Sequence, residues 1–215
     1  MGCTALIDFV YIIDVSGSVG SVIGAMRSFA TDIVRQFTLG ADAARFGLVQ
    51  FQSSGALVVP LTTDEQDILN GIAALEAGGL TCLQCGFAKA SDAFSGATPR
   101  AGATLVALLL TDGDPNVPSV DPLPSAYSAA ESLKASGVTV FAWGFGSVDE
   151  SVLNTVATPP AADHAFFSAD FSAISALSSK VCTPRGVAQG DPHVRLMSVH
   201  VCPRPFGCVR ILIRR

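Results

Sequence analysis

Apolar runs alternate with amphipathic stretches along most of this chain. Uninterrupted apolar runs are typical of buried strands, and we predict strands at 9–13, 46–51, 103–110, 138–144 and 164–167. The run at 56–61 contains Pro60, which predicts an edge strand or a strand end. Helices are predicted at 22–37, 65–75, 87–94, 125–136, 151–156 and 171–181. Thr63, three positions before Gln66, is the predicted cap of the second helix. Strands that alternate with helices predict an α/β fold, a doubly wound and mostly parallel sheet with helices on both faces.

The length of 215 residues accommodates one sizeable domain and a short extra piece. We predict a domain at 1–183 and a separate tail at 184–215, because the chain becomes linker-like and rich in arginine after Cys182. About 30 residues do not form an independent core without disulfides or a metal. No apolar run approaches the ~18 residues of a membrane-spanning helix, so we expect no membrane insertion.

The net charge of −5 is distributed unevenly. Residues 1–182 contain 7 basic and 17 acidic side chains, whereas residues 183–215 contain 6 arginines and 1 acidic side chain. An acidic main body argues against a nucleic-acid partner, since phosphate binding needs clustered Lys and Arg. A nucleic-acid or membrane arm is the alternative for the tail, and the Pro and Cys residues between its arginines disfavour it.

Oxygen-bearing side chains follow two of the predicted strands. Asp14, Ser16 and Ser18 come after the first strand, Asp112 comes after a later one, and Thr81 lies in a loop between two helices. Loops at the carboxyl ends of parallel strands meet at one sheet edge, so we expect these five side chains to lie together. For the first loop alone, an ordinary turn is the alternative.

Such a set is suited to a hard divalent cation. Mg²⁺ takes octahedral oxygen coordination from one or two carboxylates with waters retained. Two carboxylates and three hydroxyls meet this demand and leave a position open for a carboxylate from another molecule. The absence of histidine from the set argues against zinc or copper. The predicted cofactor is therefore Mg²⁺ or Mn²⁺.

The same residues resemble the metal-ion-dependent adhesion site (MIDAS) of von Willebrand factor type A domains, also called integrin I domains. That site is written Asp-x-Ser-x-Ser, then Thr, then Asp, and it matches Asp14, Ser16, Ser18, Thr81 and Asp112 in order. The resemblance implies a Rossmann-like fold and direct metal ligation by the two serines. It implies that Asp14 holds metal-bound water and that the other two residues change between direct and water-mediated contact.

The resemblance also implies a function. We expect a non-enzymatic, extracellular adhesion module that captures a Glu or Asp of a protein or matrix ligand through the cation. One alternative is an intracellular type A module in a multiprotein assembly. Another is a Mg²⁺-dependent phosphotransferase with Asp14 as nucleophile. Such an enzyme would need a second carboxylate two residues after the nucleophile, where this chain has Ser16. No Walker loop or Ser-His-Asp arrangement is present either.

Six cysteines in an even number favour disulfides and an oxidising compartment. In the type A fold the first strand begins near the end of the last helix, so the resemblance implies a Cys3–Cys182 bond. The motif Cys82-Leu83-Gln84-Cys85 departs from the hydroxyl-rich loop of the family. A local Cys82–Cys85 disulfide would stiffen the loop of Thr81, and a redox pair is the alternative.

In the tail, Gly190-Asp191-Pro192-His193 resembles the start of a von Willebrand factor type D domain, without the usual aromatic continuation. We expect a truncated type D domain, and coincidence is the alternative. Cys202 and Cys208 are expected to pair with each other or with a partner outside this sequence. No signal peptide precedes the first strand, so we expect either an excerpt or incomplete gene model of a secreted protein, or a cytosolic protein with free thiols.

Overall fold

A six-stranded sheet forms the centre of the molecule's larger unit. The computed structural model describes residues 4–117 and 122–167, together with the backbone of strands at 196–201 and 209–214. The strands of the sheet are β1 (Ile7–Asp14), β2 (Ala44–Phe51), β3 (Gly55–Thr62), β4 (Thr104–Thr111), β5 (Thr139–Gly144) and β6 (Ala165–Phe167). Their order is β3-β2-β1-β4-β5-β6. Only β3 runs antiparallel to its neighbour, at one edge of this sheet, where Pro60 predicts an edge strand.

Helices cover both faces of the sheet, which confirms the predicted doubly wound α/β fold. They are α1 (Ile23–Val34), α2 (Glu65–Ala73), α3 (Leu83–Ser95), α4 (Pro122–Ala135), α5 (Glu150–Val156) and α6 (Ala161–His164), with a 3-10 helix at Gly17–Ser21. No helix in the described part of the chain is long and apolar enough to cross a membrane.

Strand β1 is buried along its whole length. Phe9 and Tyr11 face a core that includes side chains of α1 and α2. Val10 and Ile12 face a second core that includes side chains of α3, α4 and α5. A strand that is buried on both faces has no polar alternation, which explains the uninterrupted apolar run in the sequence.

The chain order reverses around β1. From this strand the chain proceeds outward through β2 and β3 on one side, and β4, β5 and β6 extend the other side. In open α/β sheets, ligands bind outside the carboxyl ends of the strands at such a switch point. The crevice between the ends of β1 and β4 is therefore the expected binding position.

At the opposite end of β1, Asp8 lies between two arginines. Its carboxylate accepts hydrogen bonds from Arg45 Nε at 2.8 Å, Arg45 Nη2 at 2.7 Å and Arg100 Nη2 at 2.6 Å. Arg100 also donates to the carbonyls of Ile7 and Ala43. Burial alone would raise the pKa of Asp8, but the hydrogen bonds and charges of the arginines outweigh it, and the pKa is lowered.

Several predicted element ends are wrong. The cap of α2 is Asp64, whose side chain accepts from the N–H groups of Gln66 and Asp67, whereas Thr63 was expected. Helix α4 begins at Pro122, three residues before the predicted start, because proline is tolerated in the first turn of a helix. Helix α3 begins at Leu83, four residues before the predicted start at 87, and α6 was not predicted. The helix expected at 171–181 lies outside the described residues.

The chain divides into two compact units, residues 1–182 and 183–215. The described part of the second unit is an antiparallel pair, β7 (Leu196–Val201) and β8 (Val209–Arg214). Neither strand was predicted, because arginine and proline interrupt the apolar pattern there. The disulfides expected for Cys3, Cys182, Cys202 and Cys208 lie outside the described residues.

Candidate metal centre

The carboxylate of Asp14 is fully buried at the end of β1. Its Oδ1 accepts a hydrogen bond from the backbone N–H of Ser16 at 2.8 Å. Its Oδ2 accepts from the hydroxyl of Thr111, the last residue of β4, at 2.6 Å. These two bonds fix the carboxylate in the crevice between the two strands and tie the first loop to the end of β4.

A chain of short contacts joins the other side chains of this first loop to Asp112. Ser16 Oγ lies 3.1 Å from Ser18 Oγ, and Ser18 Oγ donates to Asp112 Oδ1 at 2.7 Å. Ser16 is 1% exposed and Asp112 is 8% exposed, although polar side chains of these types usually face solvent. Four of the five predicted ligands therefore lie in one connected cluster of oxygen atoms, in which Asp14, Ser16 and Asp112 are buried and Ser18 is exposed.

The loop of Thr81 reaches the same place through its backbone. Gly17 N–H donates to Gly79 O at 3.0 Å, and Gly78 N–H donates to Val15 O at 2.7 Å. Gly79 has a φ of +81°, and a Cβ on it would lie 2.7 Å from the Oε1 atom of Gln52. Only glycine fits this turn without strain, so its position before Thr81 has a conformational reason.

Thr81 is buried, with 2% exposure, and its backbone is held on both sides by Asn116. Thr81 N–H donates to Asn116 Oδ1 at 2.8 Å, and Asn116 N–H donates to Thr81 O at 3.0 Å. Because Asn116 follows β4, this pair of bonds connects the loop of Thr81 with the loop of Asp112. Neither Asn116 nor Thr111 was predicted from the sequence as a residue that supports the site.

Immediately after Thr81, Cys82 and Cys85 form a disulfide. Cys82 caps the N-terminus of α3, and Cys85 lies in the first turn of that helix. The pair therefore spans the junction between the loop of Thr81 and the helix that packs on the sheet.

Burial disfavours the charged forms of both carboxylates. It raises the pKa of Asp14 to about 6, against the hydrogen bonds from Thr111 and Ser16, and the negative charge of Asp112 adds to the increase. Burial also raises the pKa of Asp112, against its hydrogen bond from Ser18. Two buried carboxylates close together are costly as anions unless a cation compensates them.

These residues fit a divalent cation. Within the described residues there is no group of three or more His, Cys, Asp and Glu side chains that could hold a metal ion. A cation at this edge would therefore be held by Asp14 and Asp112 together with the hydroxyls of Ser16, Ser18 and Thr81. A set of oxygen donors that includes two carboxylates is suited to hard cations.

The family model of the von Willebrand factor type A domain matches residues 8–180. The chain belongs to this family. The match ends before the tail, so it gives no support to the predicted type D resemblance at 190–193.

The curated relatives include matrilins. Mouse matrilin-2 is 32% identical over 190 residues, which are 82% of this chain and 19% of the relative. Bovine matrilin-1 is 30% identical over 182 residues, which are 80% of this chain and 32% of the relative. The chain thus spans about a fifth to a third of the length of these two relatives.

Solved structures share the type A fold. Proximal thread matrix protein 1 from the mussel byssus, described with a zinc-occupied MIDAS motif, has a TM-score of 0.72 at 23% identity. It matches 87% of this chain and 49% of its own chain. A von Willebrand factor type A protein from Catenulispora acidiphila has a TM-score of 0.65 at 22% identity, over 83% of this chain and 42% of its own.

Proposed function

We propose that this type A domain, with limits at 1–183, binds a protein ligand through a divalent cation. The cation would be held by Asp14, Ser16, Ser18, Thr81 and Asp112. The observation that carries the proposal is the contact chain from the buried Ser16 through the exposed Ser18 to the buried Asp112, beside the carboxylate of Asp14. The division of the chain after Cys182 supports the domain limits.

In this proposal the bound cation is a Lewis acid with an open position for a Glu or Asp carboxylate of the ligand. The protein contributes the arrangement around it. Thr111 and the Ser16 N–H orient the two oxygens of Asp14, and Asn116 holds the backbone of Thr81. Preorganised donors reduce the free-energy cost of ordering on binding. We propose Mg²⁺ or Mn²⁺ as the cation.

A binding role is better supported than a catalytic one. Both oxygens of Asp14 accept hydrogen bonds inside a fully buried position, which is unsuited to nucleophilic attack on a phosphoryl group. The nearest side chains contribute hydroxyls, and the position two residues after Asp14 is Ser16. The family membership supports the same conclusion, and we propose that the domain is not an enzyme.

We propose an extracellular location, with a matrix protein as the ligand class. The relatives are named matrilins, and a structural neighbour is a thread matrix protein. The Cys82–Cys85 disulfide supports this proposal, since disulfides persist mainly in oxidising compartments. The same bond disfavours the alternative of an intracellular assembly module.

The cation site is tested by calorimetric titration of Mn²⁺ and Mg²⁺ into the full chain. We expect Asp112→Ala and Ser16→Ala to remove binding while circular dichroism stays unchanged. Asp114→Ala is the matched control, because this exposed acid accepts a bond from the Asp149 N–H and contacts none of the proposed ligands. Equal metal affinity in all four proteins would refute the site.

The ligand class is tested with displayed random peptides selected in Mn²⁺ and eluted with EDTA. We expect the eluted peptides to share a Glu or Asp whose replacement by Gln or Asn removes binding. Peptides that bind equally well without an acidic residue, or in EDTA, would contradict carboxylate capture.

A further inference from the structure

The Cys82–Cys85 disulfide joins the end of the loop of Thr81 to the first turn of α3. Cys82 follows Thr81 directly, and Cys85 is part of α3. Only two residues separate the cysteines, so the bond closes a small ring and restrains the chain locally. Its effect is therefore concentrated at the start of α3 and in the loop of Thr81.

The Cys85 end belongs to a rigid body. A Cβ on Gly86 would lie 2.7 Å from Phe51 and 2.8 Å from Ile12, so α3 rests directly on β2 and β1 at this point. A Cβ on Gly55, the first residue of β3, would likewise clash with the carbonyl of Cys85. Close packing against three strands leaves the first turn of α3 no room to shift.

The Cys82 end belongs to the loop. Cys82 N–H donates to Gln52 O at 2.7 Å, and the neighbouring Thr81 is held by Asn116. Asn116 and Gln52 themselves lie in loops that follow β4 and β2. The disulfide is a second covalent link, besides the Cys82–Leu83 peptide bond, between the loop of Thr81 and a helix seated on the sheet.

We propose that the Cys82–Cys85 bond is a redox-sensitive switch of the candidate metal centre. In the disulfide form, the loop of Thr81 is held in the position in which it bonds to Asn116 and Gln52. In the dithiol form, the loop of Thr81 loses this restraint at the start of α3 and the cation is bound more weakly. The inference rests on the proposed function, since it assigns a form of regulation to the same site.

The chemical step is ordinary thiol–disulfide exchange with an external thiol. Cys82 is 3% exposed, whereas Cys85 is partly exposed, so the incoming thiolate attacks the Cys85 sulfur and Cys82 leaves. A second thiol then attacks the mixed disulfide. Two thiols supply two electrons and two protons in total, the protein gains two S–H groups, and the reductant becomes a disulfide.

The full chain is compared with Cys82→Ser/Cys85→Ser, with and without a phosphine reductant, and Mn²⁺ is the probe in calorimetry. We expect the oxidised wild type to bind Mn²⁺ at least about fivefold more tightly than the reduced wild type and the double variant, the lower end of measured coupling between sites. The reductant should leave the affinity of the double variant unchanged, which separates this bond from the other cysteines.

A second measurement needs no metal. Hydrogen exchange is followed in EDTA at the amides of Thr81, Cys82 and Gly86, which donate to Asn116, Gln52 and Cys82 respectively. We expect the amides of Thr81 and Cys82 to exchange faster on reduction, and the amides of β1 to remain unchanged.

The outcomes are distinguishable. Equal Mn²⁺ affinity in the oxidised wild type and the double variant, with unchanged exchange at Thr81, would overturn the switch and leave the proposed function intact. An effect of the reductant on the double variant would assign the regulation to other cysteines and overturn the inference. Absence of Mn²⁺ binding in every form would overturn the proposed function and the switch together.

Discussion

Thr111 and Asp14 form a hydrogen bond of 2.6 Å across the switch point of the sheet, although 97 positions separate them in the chain. Thr111 is the last residue of β4 and Asp14 is the last residue of β1. The bond provides a donor for a fully buried carboxylate oxygen, and it fixes the distance between the two loops that carry the proposed cation ligands.

We predict that Thr111→Val lowers both stability and metal affinity. The substitution leaves Asp14 Oδ2 without its donor, and an unsatisfied buried acceptor costs about 1–3 kcal/mol. Urea denaturation in EDTA measures the stability, and Mn²⁺ titration measures the affinity. Thr111→Ser keeps the hydroxyl and is the matched control, for which we expect values near those of the wild type. Equal stability and equal Mn²⁺ affinity in Thr111→Val and Thr111→Ser would contradict the role assigned to this bond.

A second prediction concerns Asn116. Asn116→Ala removes the acceptor for Thr81 N–H, so we expect weaker Mn²⁺ binding and faster hydrogen exchange at the Thr81 amide. Asn116→Asp retains an acceptor oxygen at the same position and should restore slow exchange. If the Ala variant binds Mn²⁺ with wild-type affinity, Asn116 has no part in positioning Thr81.

The third prediction separates stability from binding. Asp8→Ala leaves Arg45 and Arg100 without their carboxylate partner in a position where both arginine side chains are 13% exposed. Breaking a buried pair in this way costs about 3–5 kcal/mol, and we expect a loss of that order in urea denaturation.

The control for this experiment is Asp92→Ala, which removes the exposed Lys89–Asp92 pair. Exposed pairs of this kind contribute about 0.3–0.5 kcal/mol, so the effect should be small. Both variants should keep wild-type Mn²⁺ affinity once folded. A loss of affinity in Asp8→Ala would show that the two ends of β1 are coupled.

The fourth prediction is a pH dependence. The pKa of Asp8 is lowered in the folded protein, so the folded state releases this proton more readily than the unfolded state. Its contribution to stability is therefore fully present above the ordinary aspartate pKa of 3.8 and is lost as the pH falls through the folded pKa. Urea denaturation at pH values from neutral to strongly acid measures this loss. In Asp8→Asn, the free energy of unfolding should fall less steeply as the pH decreases. A decrease as steep as in the wild type would assign the acid sensitivity to other carboxylates.

The sequence alone was sufficient for the central strands and for one edge of the sheet. Asp14 follows an apolar run directly and Asp112 follows another after one residue, so their common position could be predicted from the topology of parallel strands. Thr81 lies between two helices, and the family motif was needed to include it. The cap of α2 was misplaced by one residue, because Thr63 and Asp64 are both good capping residues and the difference depends on local backbone angles.

The supporting residues were not predictable in this way. In the sequence, Thr111 follows the strand predicted at 103–110, and Asn116 has the character of an ordinary loop residue. Their roles come from contacts across 97 and 35 positions of the chain, which no local pattern records. The same holds for Asp8 and Arg100, which meet across 92 positions.

Strand β1 carries one ionic grouping at each end. Asp8 is buried against arginines at its start, and Asp14 lies in the oxygen-lined crevice at its end. Five residues of strand lie between them, and six steps along the strand place the two positions about 20 Å apart. Variation in the loops that surround Asp14 can therefore accumulate during evolution without disturbing the ionic anchor around Asp8. A lineage that inherits this strand can change the molecules it recognises while it keeps the same fold.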